Sequence, residues 1–346
     1  MFPEFVELLV RELRFLHERH AEKWSEIRTL YIGGGTPSVL SEELLKTLFL
    51  ELERLGVFGN LQEATMEMNP ESCSLEKVDI AMSFGFDRFS VGIQSFDEEI
   101  LKAVGRSHSA AAARSALEIL LASRARVNAD LMFMLPGQSV EGFECDVREL
   151  AHSGIGHLSF YGLTVSDGTR LGYRIRKGEI SVDEDAYAPM YEAGVRDALA
   201  AGFVRYEVSN FAKLGEESLH NKNYWDRGEY LGIGPGAHSF LDGVRFAAPE
   251  KYARWKNWVL KGFPQSGYEL DVLDDAAKIS EAILLSLRQE RGLDLAKLKR
   301  DFGYDIPAEK IEHWLRRGFL AQTGSSVRLV GRGWVMMDAI IEDFMP

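Results

Sequence analysis

The sequence predicts an α/β fold. A run of parallel β/α units spans 1–181, an extension of that core spans 182–270, and a small α+β domain of winged-helix type spans 271–346. Three observations carry this. In the first half, short runs rich in β-branched and aromatic residues alternate with stretches of helical periodicity, as parallel strands with helical crossovers do. Glycines and polar residues collect at the carboxyl ends of those strands, where ligands of such sheets bind. Past residue 271, helices in succession give way to two short strands and a last helix.

The elements follow in order. Phe2, Val6, Leu9, Leu13 and Leu16 fall at helical spacing among Glu4, Glu7, Arg11, Glu12 and Arg14. The segment 2–16 is therefore an amphipathic surface helix and not a signal peptide. Strands are expected at 28–32, 63–68, 88–91, 127–132 and 157–161. Helices are expected between them, at 41–55, 74–84, 97–104, 109–122 and 139–151. Ser41, followed by Glu42 and Glu43, is an N-terminal signal for the first of these. A helix at 183–201 then leads to a strand at 206–208 and a loop rich in aromatics and glycine over 209–246. Helices at 250–261, 275–289, 295–302 and 307–317 precede strands at 320–322 and 327–330 and a helix at 334–344. The helix at 307–317 mixes Glu309, Glu312 and His313 with Lys310, Arg316 and Arg317. That mixture favours packing or a protein partner over DNA.

Composition narrows the function. With 46% hydrophobic and 27% charged residues in 346, the chain is an ordinary globular protein with room for a full core. A net charge of −13 argues against general binding to nucleic acid or to an anionic membrane surface. No apolar run approaches the ~20 residues of a membrane-spanning helix. A cytoplasmic protein is expected. Cys73 and Cys145 are the two cysteines, and both are expected to be reduced thiols.

YIGGGTPS at 31–38 places Gly33, Gly34 and Gly35 directly after a short buried strand. Three successive glycines remove every β-carbon, so a ligand can approach the backbone closely and φ can turn positive. No Gly-Lys-Ser/Thr follows, so this is not an ATP-type phosphate loop. Further segments come in order: MEMNPES at 66–72, SVGIQSFDEEILKAVGRSH at 90–108, NADLMFMLPGQS at 128–139 and HLSFYGLTVSDGT at 157–169. YEVSNFA at 206–212, HNKNYW at 220–225 and YLGIGPGAHSF at 230–240 follow. Each alone is a weak signal; their number and order make the set specific.

Together these segments resemble the radical S-adenosylmethionine (SAM) superfamily, in the branch of the oxygen-independent coproporphyrinogen III oxidases and the haem chaperone HemW. The resemblance covers nearly the whole chain. It implies a partial (β/α) radical-SAM barrel with a winged-helix-like C-terminal domain. It also implies a SAM pocket that includes Gly33, in which Gly34, Gly35 and Thr36 approach the methionyl amine and Glu67 accepts from the polar end of the ligand. Gln94, Arg106 and Asp130 match further SAM-contacting positions. The residue types suit the ligand, because an arginine can grip a carboxylate with two charge-assisted bonds. Each residue also has an ordinary alternative: Glu67 as a helix cap, Arg106 in a surface ion pair, Gln94 satisfying a loop carbonyl.

HNKNYW concerns haem or another tetrapyrrole. His220 can ligate iron through a neutral imidazole, and Tyr224 and Trp225 can pack against a flat macrocycle. The alternative is a polar loop in which His220 bonds to backbone. His238, in GPGAHS, is a second candidate ligand.

Working members of the superfamily hold a 4Fe–4S cluster on a Cys-x3-Cys-x2-Cys loop. Two cysteines cannot supply its three thiolates. The chain resembles the family from its first helix onward, and the first strand and cluster loop are missing. Either the start is truncated or the loop has been lost. As given, the chain is expected to be inactive in radical chemistry. HNKNYW and the relatively short span favour a haem chaperone; the alternatives are a coproporphyrinogen oxidase and a cluster-less binding protein that uses its C-terminal domain for a protein acceptor. The strand at 28–32, without its usual neighbour, is expected to leave an open sheet edge that permits self-association.

Overall fold

The computed structural model describes residues 1–166 and 168–346. The first elements are α1 (Phe2–Arg19), α2 (Ala21–Trp24), β1 (Thr29–Ile32), α3 (Glu42–Arg54), β2 (Glu63–Met68), α4 (Leu75–Ser83) and β3 (Arg88–Gln94). Next come α5 (Glu98–Ala103), α6 (Ala110–Ala122), β4 (Arg126–Phe133), α7 (Val140–Ala151), β5 (His157–Gly162), α8 (Arg170–Arg176) and α9 (Tyr187–Ala200). They are followed by β6 (Val204–Arg205), β7 (Asn210–Ala212), α10 (Leu219–Trp225), β8 (His238–Leu241), β9 (Val244–Ala247), α11 (Tyr252–Leu260) and β10 (Glu269–Asp271). The chain closes with α12 (Asp275–Leu287), β11 (Leu293–Asp294), α13 (Leu295–Phe302), α14 (Ala308–Arg316), β12 (Leu320–Thr323), β13 (Ser326–Leu329) and α15 (Met337–Phe344).

The expected α/β architecture is present as a seven-stranded sheet in the order β1-β2-β3-β4-β5-β7-β6. β2 to β5 are parallel neighbours, whereas β7 and β6 join antiparallel. Side chains alternate along β4: Val127, Ala129, Leu131 and Phe133 are buried, while Asn128 and Asp130 face the other way. The buried face packs Phe133 against Phe143 of α7, and Phe143 in turn against Phe160 of β5, with ring centroids 5.5 and 5.7 Å apart. Burying such a ring stabilises the fold by about 1.5–3 kcal/mol. The register lines up two polar rows on the opposite face. One is Glu67, Ser90, Asn128 and His157; the other is Gly92, Asp130, Ser159 and Asn210.

The chain forms two compact units, each discontinuous in sequence. One comprises Leu30–Ser41 and Glu63–Ser218 and holds nearly all of this sheet. The other comprises Met1–Thr29, Glu42–Gln62 and Leu219–Pro346. In the latter, Leu8 of α1 packs with Ala248, Trp255, Trp258 and Val259. Arg14 of α1 donates two bonds of 2.8 Å to Glu51 of α3. Glu12, 1% exposed, accepts from Gly234 N–H and Trp255 Nε1–H, both at 2.9 Å. Burial pushes that carboxyl up to about 7. At the C-terminus, α12 to α15 surround a sheet in the order β11-β13-β12, the helix-and-wing arrangement expected from the sequence.

Four expectations need correction. The strand placed at 206–208 is the turn between β6 and β7, where Tyr206 N–H donates to Asn210 C=O and Ser209 N–H to the Glu207 carboxylate. The loop placed at 209–246 contains β7, α10, β8 and β9. The helix placed at 183–201 begins at Tyr187 after a 3-10 turn at Glu184–Ala186. The helix placed at 334–344 begins at Met337 after a 3-10 turn at Gly331–Trp334. Three elements had no strong local signal: α8, capped by the Thr169 hydroxyl, and the short strands β10 and β11.

Candidate functional site

The three glycines after β1 do different work. Gly34 takes φ +79 and donates its N–H to Glu67 Oε2 at 3.1 Å. A β-carbon on Gly33 would lie 2.5 Å from both Glu67 Cδ and Tyr31 Cε1, so Gly33 makes room for the carboxylate rather than for a ligand. Gly35 has open space where a β-carbon would be. Thr36, half-buried, leads into the 3-10 turn Pro37–Val39.

Glu67 sits at the end of β2 and also accepts the Tyr31 hydroxyl at 2.7 Å. Its burial raises the carboxyl pKa, and the Tyr31 and Gly34 donors oppose that rise. One row along the same sheet face, Asp130 accepts from Ser90 Oγ at 3.2 Å and Asn128 Nδ2 at 3.0 Å. Burial pushes Asp130 up to about 6; Ser159, Asn128 and Ser90 counter it, and the Glu67 charge adds to it. Two carboxyl groups with raised pKa values thus sit on one face of the sheet, and the Glu67 charge adds to the rise at Asp130.

Gln94 ends β3 at φ +69, and its carboxamide lies over Gly92, the residue in register with Asp130. The carboxamide makes no hydrogen bond among the described residues, although Gln94 is only 8% exposed. Arg106 follows α5 on an exposed turn, with its backbone N–H on Leu101 C=O at 2.9 Å. Its guanidinium makes no ion pair among the described residues. The geometry therefore brings Gly34, Glu67, Gln94 and Asp130 to the strand ends of one sheet, and leaves Arg106 available nearby in sequence. The sequence reading missed Tyr31, Ser90, Asn128 and Ser159. The signal that finds them is the two-residue period of strand faces.

In the other unit, His220 and Tyr224 lie four residues apart on α10. His220 Nδ1 meets Thr29 Oγ1 at 2.8 Å and Nε2 meets the Tyr224 hydroxyl at 3.0 Å, so both ring nitrogens are engaged. Tyr224 is 41% exposed and packs edge-on against Tyr230 at 4.8 Å. Trp225 is half-buried, and its carbonyl accepts from Gln289 Nε2 at 3.1 Å. His238 begins β8 with an exposed imidazole.

The thiols do not fit a 4Fe–4S cluster, which takes at least three thiolates from its protein. Cys145 is exposed and Cys73 half-buried, and burial pushes the Cys73 thiol up to about 11, away from the thiolate form. Among the described residues, no group of three or more His, Cys, Asp or Glu is placed to hold a metal ion. Nor is any helix long and apolar enough to cross a membrane.

A sheet of parallel strands carrying a glycine turn and half-buried carboxylates defines a class. The radical SAM superfamily model matches residues 2–150, and the HemN C-terminal domain model matches 273–336. The fold is also that of a solved structure, the radical SAM enzyme coproporphyrinogen III oxidase (HemN) from Escherichia coli. That match has a TM-score of 0.80 at 17% identity and covers 99% of this chain and 83% of that one. Among curated proteins, the heme chaperone HemW of Mycobacterium tuberculosis is 36% identical over 326 residues, covering 92% of this chain and 81% of its own. The heme chaperone HemW of Escherichia coli is 31% identical, covering 92% and 84%. This chain belongs to the HemW family of the radical SAM superfamily.

Proposed function

We propose that this chain is a cytoplasmic haem chaperone that binds SAM at the strand ends of the seven-stranded sheet and haem through the region of α10. The observation that carries the SAM half is the polar set held there. Glu67 and Asp130 offer acceptors for the amine and hydroxyls of SAM and negative charge for its sulfonium. Arg106, without an ion pair among the described residues, offers a cation for the carboxylate, and Gln94 offers a carboxamide that makes no hydrogen bond among them. Gly34, Gly35 and Thr36 allow the backbone to approach, and Gly33 makes room for the Glu67 carboxylate. SAM acts here as a bound ligand, and the chain's own residues bind and orient it. Calorimetry with SAM on wild type and Asp130→Ala tests this half; tight binding unaffected by the substitution places the ligand elsewhere.

The haem half rests on HNKNYW and on relatives named heme chaperones. His220 would ligate iron at Nε2 by displacing the Tyr224 hydroxyl, with Tyr224 and Trp225 beside the macrocycle. Ferric haem should give a Soret shift that His220→Ala reduces. An unchanged shift in that variant moves the ligand to His238 or reduces the motif to a structural role. The C-terminal domain is the proposed contact for a protein acceptor of the haem. β1 ends the sheet, and we place self-association at that edge; light scattering that finds a monomer at high concentration removes it.

A further inference from the structure

The end of β3 is strained. Ser95 N–H closes back onto Ile93 C=O at 2.9 Å around Gln94, whose φ is +69. This is the γ-turn with positive central φ, the rare and costly form. A non-glycine residue holds such a conformation only where its surroundings over-determine it, and such places cluster at ligand sites. The sheet register also slips between Gly92 and Gln94, leaving Ile93 as an extra residue.

Two buried side chains pin the turn from opposite ends. His108, between α5 and α6, places Nε2 3.0 Å from Ile93 C=O, so that nitrogen carries the proton. Asp146 of α7 accepts Ser95 Oγ–H at 2.6 Å and Phe96 N–H at 2.9 Å. Each is only 5% exposed. Ser95 Oγ in turn accepts Asp97 N–H at 3.1 Å, which starts the cap of α5. Yet the side chain of the residue so carefully held makes no hydrogen bond among the described residues. Its carboxamide rests over Gly92, where a β-carbon would come within 2.7 Å of Nε2.

We infer that His108 and Asp146 are positioning residues: they hold the strained turn that presents the Gln94 carboxamide beside Asp130, and so set the affinity of the pocket for its ligand. The inference rests on the SAM reading for the identity of that ligand. Neither residue touches the ligand; both act through Gln94.

Calorimetry with SAM and melting curves of the full chain test it. Asp146→Ala and His108→Leu should each weaken SAM binding about tenfold, or 1.4 kcal/mol. Asp146→Asn keeps an acceptor for Phe96 N–H and His108→Gln keeps a donor for Ile93 C=O; both should restore most of the affinity. Gln94→Gly separates holding from binding. It relieves the positive φ, so the melting temperature should rise by about 1–3 °C, while SAM affinity falls about tenfold. Asp146→Ala should then cost no further affinity in that background. Full affinity in Asp146→Ala and His108→Leu overturns the inference, as does a further tenfold loss on top of Gln94→Gly. An affinity unchanged by Asp130→Ala instead sinks the SAM pocket. Melting curves then decide the inference alone, and it is overturned if Gln94→Gly fails to offset the melting-temperature loss of Asp146→Ala.

Discussion

The strand ends of the sheet and the helix α10 make opposite use of their polar side chains. On α10, His220 and Tyr224 satisfy each other, and Thr29 takes the remaining ring nitrogen. At the strand ends, Gln94 is held at positive φ with a carboxamide that makes no hydrogen bond among the described residues, and two carboxyl groups are held in burial that raises their pKa values. A polar group that is held in place and unspent has already met part of the cost of binding. A group that is satisfied must first break what it has. The difference predicts a preformed site in one unit and a site needing rearrangement in the other.

Gly33→Val is the largest way to break this comparison. The added atoms must occupy the space of Glu67 and Tyr31, so SAM affinity should drop more than 100-fold, equivalent to about 2.7 kcal/mol. Near-normal binding in calorimetry would show that the turn is not part of the site. Asp130→Ala comes next, with an expected loss of about 1.5–3 kcal/mol for a charged hydrogen-bonding partner, while His220→Ala should leave SAM affinity unchanged. A SAM effect from the histidine would mean that the two regions are not independent.

The pH dependence sharpens the same contrast. Asp130 is raised from 3.8 to about 6 on folding, so the folded state favours its protonated form. Its contribution to stability is therefore full below about pH 4 and lost as pH rises through about 6. Relative to Asp130→Asn, wild type should melt progressively lower between pH 4 and 7, whereas its affinity for cationic SAM should increase over the same interval. Parallel changes in both quantities would contradict the assignment. Tyr224→Phe has the smallest expected effect. It should cost about 0.5–1.5 kcal/mol of stability and, by freeing His220 Nε2, tighten haem binding a few-fold. Weaker haem binding would mean that the tyrosine hydroxyl contributes to the ligand site.

Much of the fold was legible because helices and strands of the first half carry strong local periodicity. The ends of β2, β4 and β5 and of α3, α6 and α7 fall within a residue or two of expectation. The region after β5 was harder. β6, β7, β10 and β11 are two or three residues long, too short for a period, and exist because tertiary neighbours supply their hydrogen bonds. The candidate site residues Glu67, Gln94 and Asp130 were picked out through motif order. What made each of them unusual was not local: Glu67 depends on Tyr31, 36 positions away, and Gln94 on Asp146, which grips the following residues from 50 or more positions downstream.

The contact between Glu12 and the Trp255 indole spans 243 positions of sequence. At roughly 5–20 residues per second of synthesis, α1 leaves the ribosome some 10–50 s before the tryptophan it packs against. During that interval Leu8 has none of its Ala248, Trp255, Trp258 and Val259 neighbours, while Leu30–Ser41 and Glu63–Ser218 can complete their own unit first. The nascent chain thus carries an amphipathic helix whose apolar face stays uncovered until the segment around Trp255 has been made, and its yield in cells should depend on elongation speed and on factors that shield hydrophobic segments at the ribosome.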